Sequence, residues 1–202
     1  MFIGVYNLSV LFSYLGLLMS FISCYFVFNG NIKLSMLFFL FIGLIDMFDG
    51  KVARLLKRND FEKKFGVQID TVLDVFNFAA VPIIILYLYN FNTMIDIPFL
   101  LLYSFCATMR LAYFNTTIDK SNDSSIYYGF PTTTIALYLP LMILVHSLLN
   151  NNVGTWIIRG MLTLISFLYI LNIKIIKPTS LKFYLTMITI GIAIIIGIFF
   201  IL

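Results

Sequence analysis

Long apolar runs cover most of this sequence, and they constrain its fold more than any other feature. A helix of about 20 apolar residues spans a bilayer core of roughly 30 Å, and runs of that length recur along the chain. Only 11% of the residues are charged and 61% are hydrophobic, too apolar a composition for the surface of a water-soluble domain. We therefore expect an integral membrane protein, with no nucleic acid among its partners.

Seven apolar segments are predicted to be helices. Lipid-exposed backbone must satisfy its own hydrogen bonds, and the alternating pattern of a β-barrel is absent from the sequence. The predicted fold class is all-α, a polytopic membrane helix bundle formed by a single domain over 1–202. No basic region or small-residue cleavage site precedes the first run, so that run is expected to stay in the protein. The predicted spans are 8–28, 32–49, 69–90, 96–114, 131–149, 155–173 and 181–201.

Basic residues are distributed unevenly among the connections. Most of the 13 Lys and Arg residues lie in or beside the second, fourth and sixth connections. The positive-inside rule places these connections and the N-terminus in the cytoplasm. We therefore predict a multi-pass protein of the cell membrane, with a long basic cytoplasmic loop at 50–68.

Four of the nine acidic residues lie at the two ends of this loop. Asp46 and Asp49 are three residues apart, and Asp70 and Asp74 are four apart, so each pair shares one helix face. Antiparallel neighbouring spans could bring the two pairs face to face on the cytoplasmic side. Acids at membrane depth are costly and usually functional, and four together need compensating cations to stay ionised.

The ligand chemistry of this cluster favours a hard divalent cation. Carboxylate oxygens without suitable His or Cys partners suit Mg²⁺ or Mn²⁺ better than zinc, and paired ions can clamp phosphoryl oxygens. Gly50 and Ala53 leave the backbone open to a bulky ligand, and Arg54 offers a forked donor to a phosphate. These residues predict a metal–diphosphate site. The basic run 51–64 taken alone is more typical of an ordinary cytoplasmic loop.

The pattern D-x2-D-G-x2-A-R, a spacer and G-x3-D-x3-D resembles the signature of the CDP-alcohol phosphotransferases. It is formed here by Asp46, Asp49, Gly50, Ala53, Arg54, Gly66, Asp70 and Asp74. The spacer between Arg54 and Gly66 is longer than is usual in that family. The resemblance covers roughly 5–140 and implies a core of six helices, usually in a homodimer, so that one C-terminal span is either an addition or not a span.

The resemblance implies an enzyme that cleaves the diphosphate of a CDP-linked lipid or alcohol. The enzyme transfers the phospho-group to a hydroxyl and releases CMP. The resemblance implies that Asp46, Asp49 and Asp70 hold two divalent ions, while Asp74 is the general base and a further metal ligand. The residues implied in CDP-lipid binding are Asp46, Gly50, Ala53, Arg54 and Gly66.

Four stretches resemble the phosphatidylserine synthase subfamily. They are YNLSVLFSYLGL at 6–17, FGVQIDTVLD at 65–74, RLAYFN at 110–115 and YYGFPTT at 127–133. Thr71 and Ala79 depart from that subfamily's usual residues. The resemblance implies CDP-diacylglycerol and L-serine as substrates.

A serine pocket is predicted at the cytoplasmic ends of the fourth and fifth spans. Arg110 could pair with the serine carboxylate or a lipid phosphate, and Asn115, Thr132 and Thr133 could orient the substrate. The alternatives are a positive-inside flank residue for Arg110 and helix capping for the other three.

Two other functions remain open. Another enzyme of this kind could use glycerol phosphate or inositol phosphate, but a phosphorylated acceptor needs several extra cations, and outside the loop the sequence offers mainly Arg110 and Lys120. A cation transporter predicts acids near mid-membrane and broken helices, whereas these acids cluster at one face.

Residues outside the motifs are interpreted as structural. Arg159 is expected to snorkel to the outer interface, and His146 to lie at that interface without a catalytic role. Cys24 and Cys106 are expected to be small core residues.

Overall fold

The computed structural model describes residues 3–118, 126–176 and 181–202, and these are mostly helical. A π-helical turn at Val75–Ala80 joins the third helix to the fourth, and a 3₁₀ turn at Thr132–Thr134 precedes the sixth. The described residues thus form seven continuous helical segments, as predicted. The helices are α1 (Leu8–Phe28), α2 (Ile32–Leu55), α3 (Asp60–Asp74), α4 (Val81–Leu88), α5 (Ile97–Ile118), α6 (Ile135–Leu148), α7 (Asn151–Ile170) and α8 (Leu181–Ile201).

Five helical segments among the described residues are long and apolar enough to cross a membrane, which makes the chain a multi-pass membrane protein. The segment Thr132–Leu148 is apolar but shorter. The five segments are Leu8–Phe28, Asp60–Leu88, Ile97–Thr116, Asn151–Ile170 and Lys182–Ile201. The helix α2, which carries Asp46 and Asp49, is not among them.

The prediction of a long loop at 50–68 is wrong. The helix α2 continues to Leu55 and α3 begins at Asp60, so only four residues connect them. Asn59 starts α3 with a capping box, in which its side chain accepts from Glu62 N at 2.8 Å and Glu62 Oε2 accepts from Asn59 N at 2.8 Å. Hydropathy marks where a sequence stops being apolar, whereas Lys, Arg and Glu are good helix formers and extend both helices beyond that point.

A small antiparallel sheet was not predicted. The strand β1 (Ile126–Tyr128) pairs with β2 (Lys174–Ile176), with Tyr127 opposite Ile175. The sheet ties the connection before α6 to the connection after α7, at the same end of the bundle as Asp46 and Asp74. The predicted turn at 177–178 and Lys120 lie outside the described residues.

The π-helical turn between α3 and α4 has a local cause. Pro82 lacks an N–H, so the carbonyl of Phe78 loses its usual α-helical donor. The hydroxyl of Tyr103 on α5 donates to that carbonyl at 2.5 Å, and the turn bond runs from Val81 N to Phe76 O. A π turn inserted in a helix is frequent at functional sites, and this one directly follows Asp74.

At the end of the bundle opposite the four acids, the structure corrects the prediction for Arg159. Its side chain is buried and pairs with buried Asp96, with Nη2 and Nε lying 2.8 and 2.9 Å from Asp96 Oδ1. Nothing near Arg159 in the sequence indicates a partner 63 residues away. His146 is buried against Gly154, and its Nδ1 lies 3.2 Å from the hydroxyl of Tyr89. Its position at the membrane interface stays a prediction.

The predicted core positions of the two cysteines are confirmed. Cys24 and Cys106 are both free thiols, and both are buried among the apolar residues of the bundle.

Replacing Gly43 with Ala is expected to destabilise the bundle, because α2 crosses α6 at this residue. A Cβ on Gly43 would lie 2.4 Å from the Cβ of Ala136, so the helices would have to move apart. We expect the free energy of unfolding to fall by about 1–3 kcal/mol, measured by denaturant unfolding in detergent micelles. Gly160→Ala on α7 is the matched control, since a Cβ there meets nothing within 4 Å. An equal effect of the two substitutions would contradict the close crossing.

Candidate active site

Two helices bring the four predicted carboxylates into one cluster. Asp46 and Asp49 lie near the C-terminal end of α2, and Asp70 and Asp74 lie in the second half of α3. The carboxyl of Asp46 is within hydrogen-bonding range of Asp74, and that of Asp49 is within range of Asp70. The two pairs therefore face each other across the gap between α2 and α3.

The cluster forms one end of a cavity of about 790 Å³. Arg110 from α5 and the 3₁₀ turn Thr132–Thr134 lie along the same cavity, together with Gly50 and Lys51. Elsewhere the walls are aliphatic and aromatic side chains of α2, α6 and α8. These include Leu37, Leu40, Phe41, Leu137, Met187, Ile188, Ile192 and Ile195. The cavity is thus strongly polar at one end and apolar along its length, as a site for an amphipathic ligand must be.

The motif residues beside the acids are placed differently from one another. Gly50 is exposed at the cavity, and a Cβ added there meets nothing within 4 Å, so the backbone is open to a ligand. Ala53 lies one turn further along α2 and is half-buried. A Cβ on Gly66 would lie 3.2 Å from Arg58 Nη1, so the guanidinium of Arg58 lies against this glycine. The side chain of Arg54 lies outside the described part of the structure.

Three of the four residues predicted for the serine pocket line the cavity. They are Arg110, Thr132 and Thr133. Arg110 is 7% exposed, and its Nη2 donates to Gly129 O at 3.3 Å. Gly129 has φ +80, and a Cβ there would lie 2.9 Å from Arg110 Nε, so only glycine fits beside this arginine.

Asn115 lies inside α5 rather than at a helix cap. Its Oδ1 accepts a hydrogen bond of 2.8 Å from Oγ1 of Thr71, the residue directly after Asp70. The contact fixes α3 against α5 close to the acids. Thr71, which departs from the subfamily's usual residue, keeps a hydroxyl for this bond.

Sequence reasoning missed the contribution of α8 and of the α1 serines. The ammonium of Lys51 lies 3.6 Å from the ring centroid of Tyr184 on α8, a cation–π contact at the cavity wall. Ser13 on α1 lies 3.5 Å from Asp70 Oδ1. No sequence motif indicates that α8 contributes to the site. The spacing of the serines, in contrast, could have shown that they share one face of α1.

The donors at the cluster are carboxylate oxygens, the type that hard divalent cations prefer. Among the described residues, however, no group of three or more His, Cys, Asp and Glu side chains is placed so that it could hold a metal ion. The ion pairs that described side chains form with one another are Lys63–Asp60 and Arg159–Asp96, and neither involves the four acids. Four neighbouring carboxylates with no such partner among the described side chains need cations or shared protons, and oxygen donors suit Mg²⁺ or Mn²⁺.

The fold and the cavity define a helical membrane protein with an acidic site that opens into an apolar chamber. A model of the CDP-alcohol phosphatidyltransferase family matches residues 6–199, and the chain belongs to this family. The sequence resemblance was expected to fade beyond residue 140, but the match to the family model continues to residue 199 in α8.

Several curated proteins named CDP-diacylglycerol–serine O-phosphatidyltransferase are similar to this chain. The Saccharomyces cerevisiae protein is 34% identical over 131 residues, which is 60% of this chain and 46% of that protein. The Helicobacter pylori protein is 30% identical over 138 residues, which is 65% of this chain and 55% of that protein. The Mycobacterium leprae protein is 32% identical over 93 residues, which is 44% of this chain and 30% of that protein. The chain thus matches between 30% and 55% of the length of these relatives.

Proposed function

We propose that this protein transfers the phosphatidyl group of CDP-diacylglycerol to the hydroxyl of L-serine and releases CMP. The observation that carries the proposal is the single cavity that joins four carboxylates to an apolar chamber. Its polar end has room for a diphosphate and a small zwitterion, and its apolar walls suit acyl chains. The names of the similar proteins support the same reaction.

The substrate lipid would lie with its acyl chains along α2, α6 and α8 and its diphosphate at the acids. Gly50 leaves the backbone of α2 open at the position where the diphosphate and nucleotide must pass. Ala53, Arg54 and Gly66 are the further residues proposed to contact the CDP moiety. The apolar walls would keep water out of that part of the cavity, which would strengthen electrostatic interactions at the reacting phosphorus.

Asp46, Asp49, Asp70 and Asp74 are the residues that would hold the divalent ions. Mg²⁺ or Mn²⁺ held by them would neutralise the diphosphate and stabilise the charge that develops during transfer. Both carboxylate pairs line the same end of the cavity, so without a cation their negative charge would repel the diphosphate there.

Asp74 is proposed as the general base. It accepts the proton of the serine hydroxyl while that oxygen forms a bond to the phosphorus that carries the lipid. The bond from this phosphorus to the bridging oxygen breaks, and CMP leaves with the electron pair. Phosphatidylserine remains in the membrane.

Arg110→Lys is expected to raise the KM for serine by roughly tenfold or more, because lysine keeps the charge but loses the two-pronged contact with a carboxylate. Arg110 lies on the cavity wall beside Thr132, so we assign it to the serine carboxylate. Steady-state kinetics with each substrate varied in turn measure the effect, and the KM for CDP-diacylglycerol serves as the internal control. An unchanged KM for serine would exclude the carboxylate contact.

The decisive assay incubates the purified protein with CDP-diacylglycerol, Mn²⁺ and one labelled acceptor at a time. The acceptors are serine, glycerol 3-phosphate, inositol phosphate and inositol, and the lipid products are separated and identified. We expect a labelled phospholipid from serine alone, with release of CMP. Product from a phosphorylated acceptor would replace this proposal by another reaction of the same family, and release of CMP without any acceptor would indicate hydrolysis.

The orientation and assembly are part of the proposal. By the positive-inside rule, the basic residues of α2, α3 and α5 favour a cytoplasmic position for the acids, where CDP-diacylglycerol and serine would meet. We propose a homodimer because the family resemblance implies one, and a single domain over 1–202 because the sequence predicts one.

A further inference from the structure

A stripe of small polar residues follows one face of α1. Its members are separated by four, three, four and three residues, the spacing that keeps side chains on one helix face. They are Ser9, Ser13, Gly16, Ser20 and Ser23. Ser20 and Ser23 are fully buried, and the stripe lies beside α2 on one side and α3 with its π turn on the other.

Asn77 lies opposite this stripe, in the π turn and three residues after Asp74. It is 4% exposed, and its Oδ1 accepts a hydrogen bond of 2.6 Å from Ser20 Oγ. Since the oxygen of the amide faces Ser20, the amide nitrogen faces away from it. The nitrogen lies on the side of Gly16, 3.4 Å from the position that a Cβ on that residue would take.

A second, small cavity lies between Asn77 and the carboxylates. Its volume is about 10 Å³, about the smallest cavity that can hold one water molecule. Ser13, Gly16, Asn77 and all four acids line it. Gly16 keeps this space open, because a Cβ there would lie 3.4 Å from Asn77 Nδ2.

We propose that Asn77 is a positioning residue for the carboxylate cluster, with its amide nitrogen donating through one water in the small cavity and Ser20 fixing the orientation of the amide. This inference rests on the proposed metal site. A carboxylate that binds a cation with one lone pair has others free, and a fixed donor behind it decides how the carboxylate is turned. Asn77 and Ser13 line the small cavity, on the side of the carboxylates that faces α1, so both can orient the carboxylates from there. The substrate would bind on the other side, in the large cavity.

The test measures Mn²⁺ binding without substrate, by electron paramagnetic resonance of the free ion. Asn77→Leu removes the donor at similar volume, and Ser20→Ala removes the bond that orients it. We expect each to weaken Mn²⁺ binding by roughly ten- to a hundredfold. Ser23→Ala is the matched control on the same stripe. It removes an equally buried serine that donates to Ser35 O at 2.8 Å, at a point that does not line the small cavity.

Weaker Mn²⁺ binding in Asn77→Leu and Ser20→Ala, with normal binding in Ser23→Ala, supports the inference. Equal effects in all three variants would indicate a general packing defect and overturn it, as would unchanged binding in all three. A wild-type protein that binds no Mn²⁺ also overturns it. If Mn²⁺ binding follows the expected pattern but serine yields no lipid product, the positioning role of Asn77 stands and the proposed function fails.

Discussion

Replacing Asp74 with Asn is expected to lower kcat by about 10²–10⁴-fold, the usual contribution of a general base. The amide keeps the size of the side chain but cannot accept the proton of the attacking hydroxyl. Binding of CDP-diacylglycerol should change little, because Asp46, Asp49 and Asp70 still line the cavity. Steady-state kinetics in mixed micelles give kcat, and equilibrium binding of the labelled nucleotide lipid gives the affinity.

Asp60→Asn is the matched control for this experiment. Asp60 is also on α3, but its side chain is 92% exposed and pairs with Lys63 outside the cavity. The same chemical change should leave both kcat and lipid binding unchanged there. If Asp74→Asn lost lipid binding as completely as turnover, Asp74 would be chiefly a metal ligand or a structural residue, and the general base would have to be sought elsewhere.

The helices could be predicted well from the sequence, because membrane spans depend on a property that is local in the chain. Apolar runs of sufficient length predicted seven segments, and the described residues form seven. Their ends were less predictable where charged residues continue a helix. The boundary of α3 could have been found, since Asn59 followed by Glu62 is a capping-box pattern.

Residues of the site could be predicted only where they lie a few positions apart on the same helix. Asp46 and Asp49 share a helix face, as do Asp70 and Asp74, and their meeting follows from two antiparallel neighbours. The partners of these acids come from distant helices. Nothing in the sequence around Tyr184 or Ser20 indicates a contact with the site, because such contacts depend on how the helices pack.

The ion pair at the opposite end of the bundle illustrates the same limit. Arg159 alone in an apolar span is compatible with snorkelling, and Asp96 alone with a turn before α5. The structure joins them, and Thr93 completes the group by donating to Asp96 Oδ2 from its backbone N at 2.8 Å and from its hydroxyl at 2.5 Å. The pair therefore ties the connection before α5 to α7.

Arg159→Met is expected to lower the free energy of unfolding by about 3–5 kcal/mol, because it leaves the buried carboxylate of Asp96 without its cation. Asp96 has no exposed side-chain surface, and that of Arg159 is 9% exposed. Denaturant unfolding in micelles measures the loss. Lys63→Met is the matched control, since the exposed pair of Lys63 with Asp60 should contribute no more than about 1 kcal/mol. Similar losses in the two variants would contradict a buried, energetically important pair.

The pH dependence of unfolding tests the same pair independently. Burial by itself would raise the pKa of Asp96, but hydrogen bonds from Thr93 and Arg159 and the nearby guanidinium charge hold that pKa below its usual value. Because the pKa is lower in the folded protein than in the unfolded chain, the stabilisation is complete above the usual Asp range and is lost as the pH falls through the folded pKa. In Arg159→Met this loss on acidification should shrink, whereas an acid profile identical to that of the wild type would show that Asp96 does not depend on Arg159 for its charge.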